Sequence, residues 1–411
     1  MNTIATRSII RKYIILTIIL VGIVIAAFFG NLAFVRQNPG GLDFLAHWQG
    51  IKLFISNGQN PYSDATANLI NSTIRSTLAG NEGTYRFVNP LFSIIFYAPF
   101  SLINNFETAR AAWMTFLEIL AVAAIVLSIR STSLRQNIWL VLIIGISGFL
   151  SVPMLRSLMN SSMAIVGFAF LCFSASTLIQ NQDEAAGLLL AFSLVIPNLS
   201  GVCALFIVIW AILNKRWKLV GWFIGTFVLL IGFSVLLIPG WLVDYGNSLV
   251  KYSGINPVRA QAFSPSLLTI RLMITKNLIL LGLLISEFFF VRTVGKRRLL
   301  WQIALLFTVS PWLGWKVQFD HTILVIPGLI IGLGFLLDVW QNKAKRALFL
   351  MPLLLWLLLW LFSGYLFEIP ISLTETFTEI IFPSIVLVLI YWSRWWILSK
   401  EKYPEFVEKV R

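Results

Sequence analysis

Charge is what this sequence has least of. Only 12% of its 411 residues are Asp, Glu, Lys or Arg, against 58% hydrophobic residues and a mean hydropathy of +0.86. A soluble domain carries about twice that charged fraction, so the body of the chain is not water-solvated. Cysteine is almost missing: Cys172 and Cys203 are the only two, each inside an apolar run. They read as small buried hydrophobes and give no disulfide framework. With two histidines in the chain, His47 and His321, no His/Cys/carboxylate spacing marks a metal site. Phosphate-cradling glycine loops, dinucleotide fingerprints and a soluble nucleotide-sugar domain are also lacking.

What is present is apolar sequence in long runs, with 33 Phe and 16 Trp to line the membrane interfaces. Runs near 13–35, 89–104, 107–129, 137–153, 161–180, 185–213, 217–239, 276–294, 299–316, 321–340, 347–367 and 379–398 predict about 12 transmembrane helices in one all-α membrane domain over 1–411. The first run is longer than a signal-peptide core and is expected to stay as an anchor. Pro197 predicts a break inside 185–213. With both termini cytoplasmic, Arg7, Arg11, Lys12, Lys215, Arg216, Lys218, Lys296–Arg298, Lys343–Arg346 and the tail from Arg394 fall inside, as the positive-inside rule requires. Arg130 and Arg135 fall outside in this scheme and break it. The formal charge of +14 then describes a basic face beside anionic lipid; nothing else in the sequence supports nucleic-acid binding.

This orientation leaves 36–88, 240–275 and 368–378 as extracytoplasmic segments. In the first, the turn cluster Asn38-Pro39-Gly40-Gly41 precedes a helical stretch from Asp43 to Asn57, closed by Gly58. Phe44, Trp48, Ile51 and Ile55 form one apolar stripe, which predicts a helix lying in the membrane interface. Asp43 sits at its head, where the helix dipole favours an ionised carboxylate. Within the spans, Glu118 falls near the middle of 107–129, where a charge usually faces a cavity or a partner. Glu287 is expected to pair with Arg292.

Asp43-Phe44, His47-Trp48, Gly58-x-Asn60-Pro61-Tyr62 and Phe87-x-Asn89-Pro90-Leu91-Phe92-x-x-x-Phe96-x-Ala98-Pro99 follow one another in order. This series resembles the opening of glycosyltransferase family 87, polyprenyl-phosphate-sugar-dependent mannosyltransferases of the GT-C class. Weaker similarities follow at Asn160, Ile196-Pro197, Ser264-Pro265-Ser266-Leu267-Leu268 with Arg271, and Ser310-Pro311-Trp312 through Asp320-His321. The family's Gly-Gln pair and the Lys before its Pro are absent here, and Asp320 replaces one of its paired histidines.

The resemblance implies a GT-C bundle, an extracytoplasmic active site, and a polyprenyl-phosphate hexose, mannose first, as donor substrate rather than cofactor. The acceptor would be an extracytoplasmic glycan, glycolipid or protein. Asp43 is the candidate general base for direct displacement with inversion. Arg86, Arg259, Arg271, Lys316 and His321 are candidates to bind the donor phosphate or sugar, as are Lys251 on charge alone. His47, Asp64, Asn89 and Asp320 are candidates to bind the acceptor or support the base. A transporter or lipid flippase, or a catalytically inactive GT-C-like scaffold, would have the same composition but no use for a base at position 43.

Overall fold

The computed structural model describes residues 2–77, 85–252, 267–290, 295–313, 319–340 and 376–402, and 353–361 except 355 and 359. Among the described residues the chain is helical with no strand. In order the helices are α1 (Asn2–Gln37), α2 (Leu42–Asn57), α3 (Asp64–Thr77), α4 (Ile94–Ser101), α5 (Phe106–Arg130), α6 (Ile138–Phe149), α7 (Val152–Met159) and α8 (Ala164–Ile179). They continue as α9 (Asp183–Ser193), α10 (Pro197–Leu213), α11 (Trp217–Leu237), α12 (Trp241–Tyr252), α13 (Leu267–Phe290), α14 (Lys296–Val309), α15 (Val325–Trp340) and α16 (Phe382–Lys402). In an apolar solvent each backbone N–H and C=O must find its partner within the chain, and helices satisfy that locally.

Six helical stretches among the described residues are long and apolar enough to cross a bilayer: Tyr13–Gln37, Phe106–Arg130, Trp217–Leu237, Ile270–Phe289, Phe319–Asp338 and Phe377–Ile397. The pair α6–α7, bent by 49°, makes a seventh if counted as one span. α5 is the hub. It packs against α1, α4, α6, α7, α8 and α15, and its inward face carries Trp113, Leu117, Ala121 and Ala124, all fully buried. By contrast, α1 presents Ile18, Leu20 and Phe29 outward, as a helix solvated by lipid would.

Two predicted spans do not form as single crossings, so the expected count of twelve is not reproduced. Residues 89–104 fold into a three-residue 3-10 turn and the eight-residue α4, about 12 Å of helix against a hydrocarbon core of about 30 Å. α4 instead lies along α2: Trp48 Nε1 donates to the Phe100 carbonyl at 3.0 Å and Ser101 Oγ to that of Trp48 at 3.2 Å. Residues 185–213 form a hairpin. Asp183 at the start of α9 meets Arg216, just past the end of α10, at 2.8 Å, so the two helices leave from and return to one end of the bundle. Pro197 supplies no N–H at the turn, and Ser200 Oγ donates to the freed Ser193 carbonyl at 2.7 Å.

Because α4 does not cross, α5 starts at the end of the bundle where α1 finishes. Arg36 faces Glu107 at 3.6 Å and Asn31 donates to Thr115 at 3.0 Å, so α1 and α5 are antiparallel. Arg130 and Arg135 therefore lie at the opposite end. There Ser133 donates to the Gly334 carbonyl (3.1 Å), Arg297 meets Asp338 (3.4 Å), and Arg216 and Lys218 pair with Asp183 and Glu184. The two arginines that broke the charge pattern join the basic end. Glu287 belongs there too and pairs with Arg394 at 3.0 Å; Arg292, its expected partner, lies outside the described residues. This arrangement predicts that Arg135→Cys and Lys215→Cys react with a membrane-impermeant thiol reagent from one side, and Ser56→Cys from the other. Labelling of positions 135 and 215 from opposite sides would contradict the arrangement.

Candidate active site

The site lies at the end opposite the basic cluster, where α2, α3, α7, α12 and the 3-10 turn Phe319–Leu324 cap the bundle. α2 begins and ends on glycines in the left-handed region, Gly41 (φ 68°) and Gly58 (φ 65°), a conformation that costs a residue with a Cβ about 1 kcal/mol or more. The capping position is Gly41, so Asp43 is not an N-cap; it stands in the first turn with 38% of its side chain exposed. The apolar stripe of α2 turns into the protein. Phe44, Trp48 and Ile51 are buried and only Ile55 is exposed, with Phe44 stacked on Trp113 at 5.4 Å. The opposite face, Leu45 and Ala46, packs on Ile70 and Ile74 of α3. α2 is thus clamped between protein layers, rather than lying on lipid as expected, and that packing fixes the backbone that carries Asp43.

His47, one turn along, is buried. Its Nδ1 is 2.6 Å from the Asp43 carbonyl and 3.6 Å from Asp43 Oδ1. Its Nε2 accepts from the Val88 N–H at 3.4 Å, so Nδ1 carries the proton and donates toward Asp43. The ring is stacked on Tyr97 (5.2 Å) and abuts Phe87 (5.0 Å). His47 therefore bonds the backbone of Asp43, with the carboxylate 3.6 Å away, rather than touching solvent.

Asp43 is one of two carboxylates at this mouth. Asp320 accepts hydrogen bonds from Ser157 (3.2 Å) and Ser162, lies near Arg156, and is within electrostatic reach of Asp43. Tyr252, the last residue of α12, is within electrostatic reach of both: burial, with added negative potential from Asp43, Tyr85 and Asp320, holds its phenol well above the ordinary range. A tyrosine that keeps its proton can donate to a bound hydroxyl between the two acids. His321 is buried beside Asp320.

The cap is fastened by a second polar cluster. Asp64 takes both Lys251 (2.8 Å) and Arg86 (2.5 Å), and those hydrogen bonds, Lys251's first, pull its carboxyl down to about 2. Arg86 also donates to the Tyr62 carbonyl, and Asn60 donates to Asp244 at 2.7 Å. Buried Asn89 donates to the Tyr97 hydroxyl and takes the Tyr62 hydroxyl on its carbonyl. Asp64, Arg86, Lys251 and Asn89 are therefore engaged in holding α12 and the 60–64 turn in place. Because the folded-state value of Asp64 is depressed below 3.8, this fastening is complete above about pH 4 and is lost only as pH falls toward about 2. Its surface exposure makes it weak in overall stability. Asp64→Asn is expected to leave thermal unfolding unshifted but to speed amide hydrogen exchange across Trp241–Tyr252; unchanged exchange there would refute the fastening role. Arg271 projects exposed from the first turns of α13, and Arg259 and Lys316 lie outside the described residues.

One residue that joins the two carboxylates was not anticipated. Arg110 on α5 is buried and donates to the carbonyls of Asn38 (3.0 Å) and Met159 (2.8 Å) and to Ser161 Oγ (3.3 Å). It fills the space against Gly41, where a Cβ would come 2.4 Å from its Nε. Arg110 thus ties the turn before Asp43 to the turn whose Ser162 holds Asp320. An arginine inside the predicted span 107–129 was the available signal, since charge at such depth usually serves a site.

A helical membrane bundle with two carboxylates, a tyrosine and buried basic supports at one mouth has the parts of a membrane enzyme acting on hydroxyl-bearing substrates. The family model described as Glycosyltransferase family 87 matches residues 87–364, and the chain belongs to that family, a membrane glycosyltransferase of the GT-C class. Asn89, Arg110, Arg156, Tyr252, Asp320 and His321 lie within the match, while Asp43, His47, Asp64 and Arg86 precede it. No curated protein and no solved structure matches the chain.

Proposed function

We propose that the chain transfers a hexose, mannose, from a polyprenyl-phosphate carrier to a hydroxyl of an extracytoplasmic glycan, glycolipid or protein. Asp43 takes the acceptor proton as the acceptor oxygen attacks the anomeric carbon. The bond from that carbon to the phosphate oxygen breaks, polyprenyl phosphate leaves, and the anomeric centre inverts. Asp320 and Tyr252 hold sugar hydroxyls across from the base.

The observation that carries this reading is the setting of Asp43: a partly open carboxylate on a packed helix, 3.6 Å from buried His47 and within electrostatic reach of Asp320 and Tyr252. A general base needs this combination of access and fixed position. Sidedness is supported by the distribution of Arg and Lys: Arg130, Arg135, Arg216, Lys218 and Arg297 share the far end of the bundle, which the positive-inside rule assigns to the cytoplasm together with both termini. The mouth then opens to the extracytoplasmic side, where lipid-linked sugars are presented.

The test is direct. Purified protein in lipid nanodiscs is given polyprenyl-phosphate mannose, glucose or galactose with a labelled sugar, and an extract of cell-envelope acceptors. Label is expected to move from the mannosyl donor alone. Transfer from another hexose donor would overturn the sugar, and no transfer from any of them, with acceptors present, would overturn the donor class.

A further inference from the structure

Most cations at the mouth are already engaged. Arg86 and Lys251 share Asp64, Arg110 donates to two carbonyls and Ser161, Arg36 faces Glu107, and Lys52 donates to the Asn104 carbonyl while lying over Trp48. Arg156 differs. It sits on α7, partly buried, with its guanidinium carbon 4.4 Å from the centre of the Phe319 ring. It lies beside Asp320, whose carboxylate the adjacent Ser157 binds at 3.2 Å. Among the described residues its N–H groups donate no hydrogen bond. A guanidinium braced on an aromatic face with its donors unspent is preorganised for a phosphate.

The same helix borders a narrow apolar cleft, with about 30 Å³ of free volume, at the break between α6 and α7. Ser147, Gly148 and Ser151 form one wall, and Ile326, Leu329 and Leu333 of α15 another. The α15 residues step down from the level just below Asp320 and His321 toward the basic end, so the cleft runs from the mouth into the apolar zone. Small residues keep it open: a Cβ on Gly148 would stand 3.3 Å from Ile326. Ser151, at its top, is five residues from Arg156, about 7 Å along a helix.

We propose that Arg156 binds the phosphate of the polyprenyl carrier and that the isoprene units next to it run along the apolar lining of the α6–α15 cleft. The proposal rests on the lipid-donor reading above and adds the place and the groups. Phosphate at Arg156 puts the anomeric carbon beside Asp320, facing Asp43, with the lipid chain led away from the acceptor.

The test uses full-length protein in nanodiscs and two probes, a polyprenyl monophosphate and the polyprenol of the same length, with binding followed by native mass spectrometry. The wild type is expected to bind the phosphate at least about tenfold tighter than the alcohol. Arg156→Gln should remove that preference while leaving polyprenol binding unchanged, which also shows that the variant is folded. Arg156→Lys should keep part of it, and Ser147→Phe should weaken both probes alike. If Arg156→Gln keeps the preference while the wild type still transfers sugar, the Arg156 assignment falls and the proposed reaction stands. If Ser147→Phe binds both probes as the wild type does, the cleft assignment falls. A wild type that does not distinguish the probes would overturn both the assignment and the lipid-donor reading.

Discussion

Asp43→Asn is expected to cut sugar transfer by about 10²–10⁴-fold, the usual contribution of a positioned general base. Asparagine has nearly the same shape and accepts the same contacts but cannot take the acceptor's proton. Folding should hardly change. Asp43 makes no side-chain cap, its carboxylate is partly exposed, and its favourable contact with the helix dipole is worth at most about 1 kcal/mol. Transfer rate and thermal unfolding measured on the same preparation therefore separate the two effects. A transporter or an inactive scaffold would tolerate the change, so near-normal lipid or sugar flux in the variant, or transfer at the wild-type rate, would remove Asp43 from the chemistry. The distance from Asp43 to the bound substrate matters as well. His47 holds the turn that carries Asp43 through the Asp43 carbonyl, and His47→Ala should reduce transfer without altering which donor is used.

Arg110→Leu is expected to have the second largest effect, and on both activity and stability. Leucine fills part of the volume against Gly41 but leaves the part-buried Asn38 and Met159 carbonyls and the buried Ser161 Oγ without their donor. Three such losses cost roughly 2–4 kcal/mol in total. More telling is the geometry. Without the guanidinium the turn before Asp43 and the turn that supports Asp320 are no longer referenced to each other, and a displacement of about 1 Å at reacting groups can cost about 10²-fold in rate. Arg110→Lys keeps the charge but not the fork, so it should recover part of the stability and little of the rate. Arg110→Leu protein that melts and transfers like the wild type would show that the two turns are held by something else.

Much of the site was legible in the sequence, and for identifiable reasons. Two left-handed glycines bracket α2, so its limits could be read to within a residue, and with them the place of Asp43 at its head. The run of Asp43, His47, Asn89 and Asp320 was legible through motif order. The roles were less so. Asp64, Arg86 and Asn89 are polar groups that could each have met a substrate, yet each is consumed by a neighbour brought from elsewhere in the chain: Lys251, Tyr62 and Tyr97. Arg156 and Tyr252 carried no signal at all, since one sits in a short helix between two apolar runs and the other ends an amphipathic helix; only their approach to Asp320 gives them meaning.

The number of crossings shows the same division. Apolar composition sets which stretches prefer lipid or a protein core over water, and the sequence alone determined that the chain is a helical membrane protein with its basic residues segregated. Hydropathy does not record direction. Whether 89–104 crosses or lies along α2, and whether 185–213 goes through or turns back at Pro197, depends on which groups meet, as Trp48 with the Phe100 carbonyl and Asp183 with Arg216 do. Those pairings are long-range contacts, worth their energy only once the helices are assembled. The tertiary structure therefore decided which end Arg130 and Arg135 occupy, and which carboxylates and cations share the mouth.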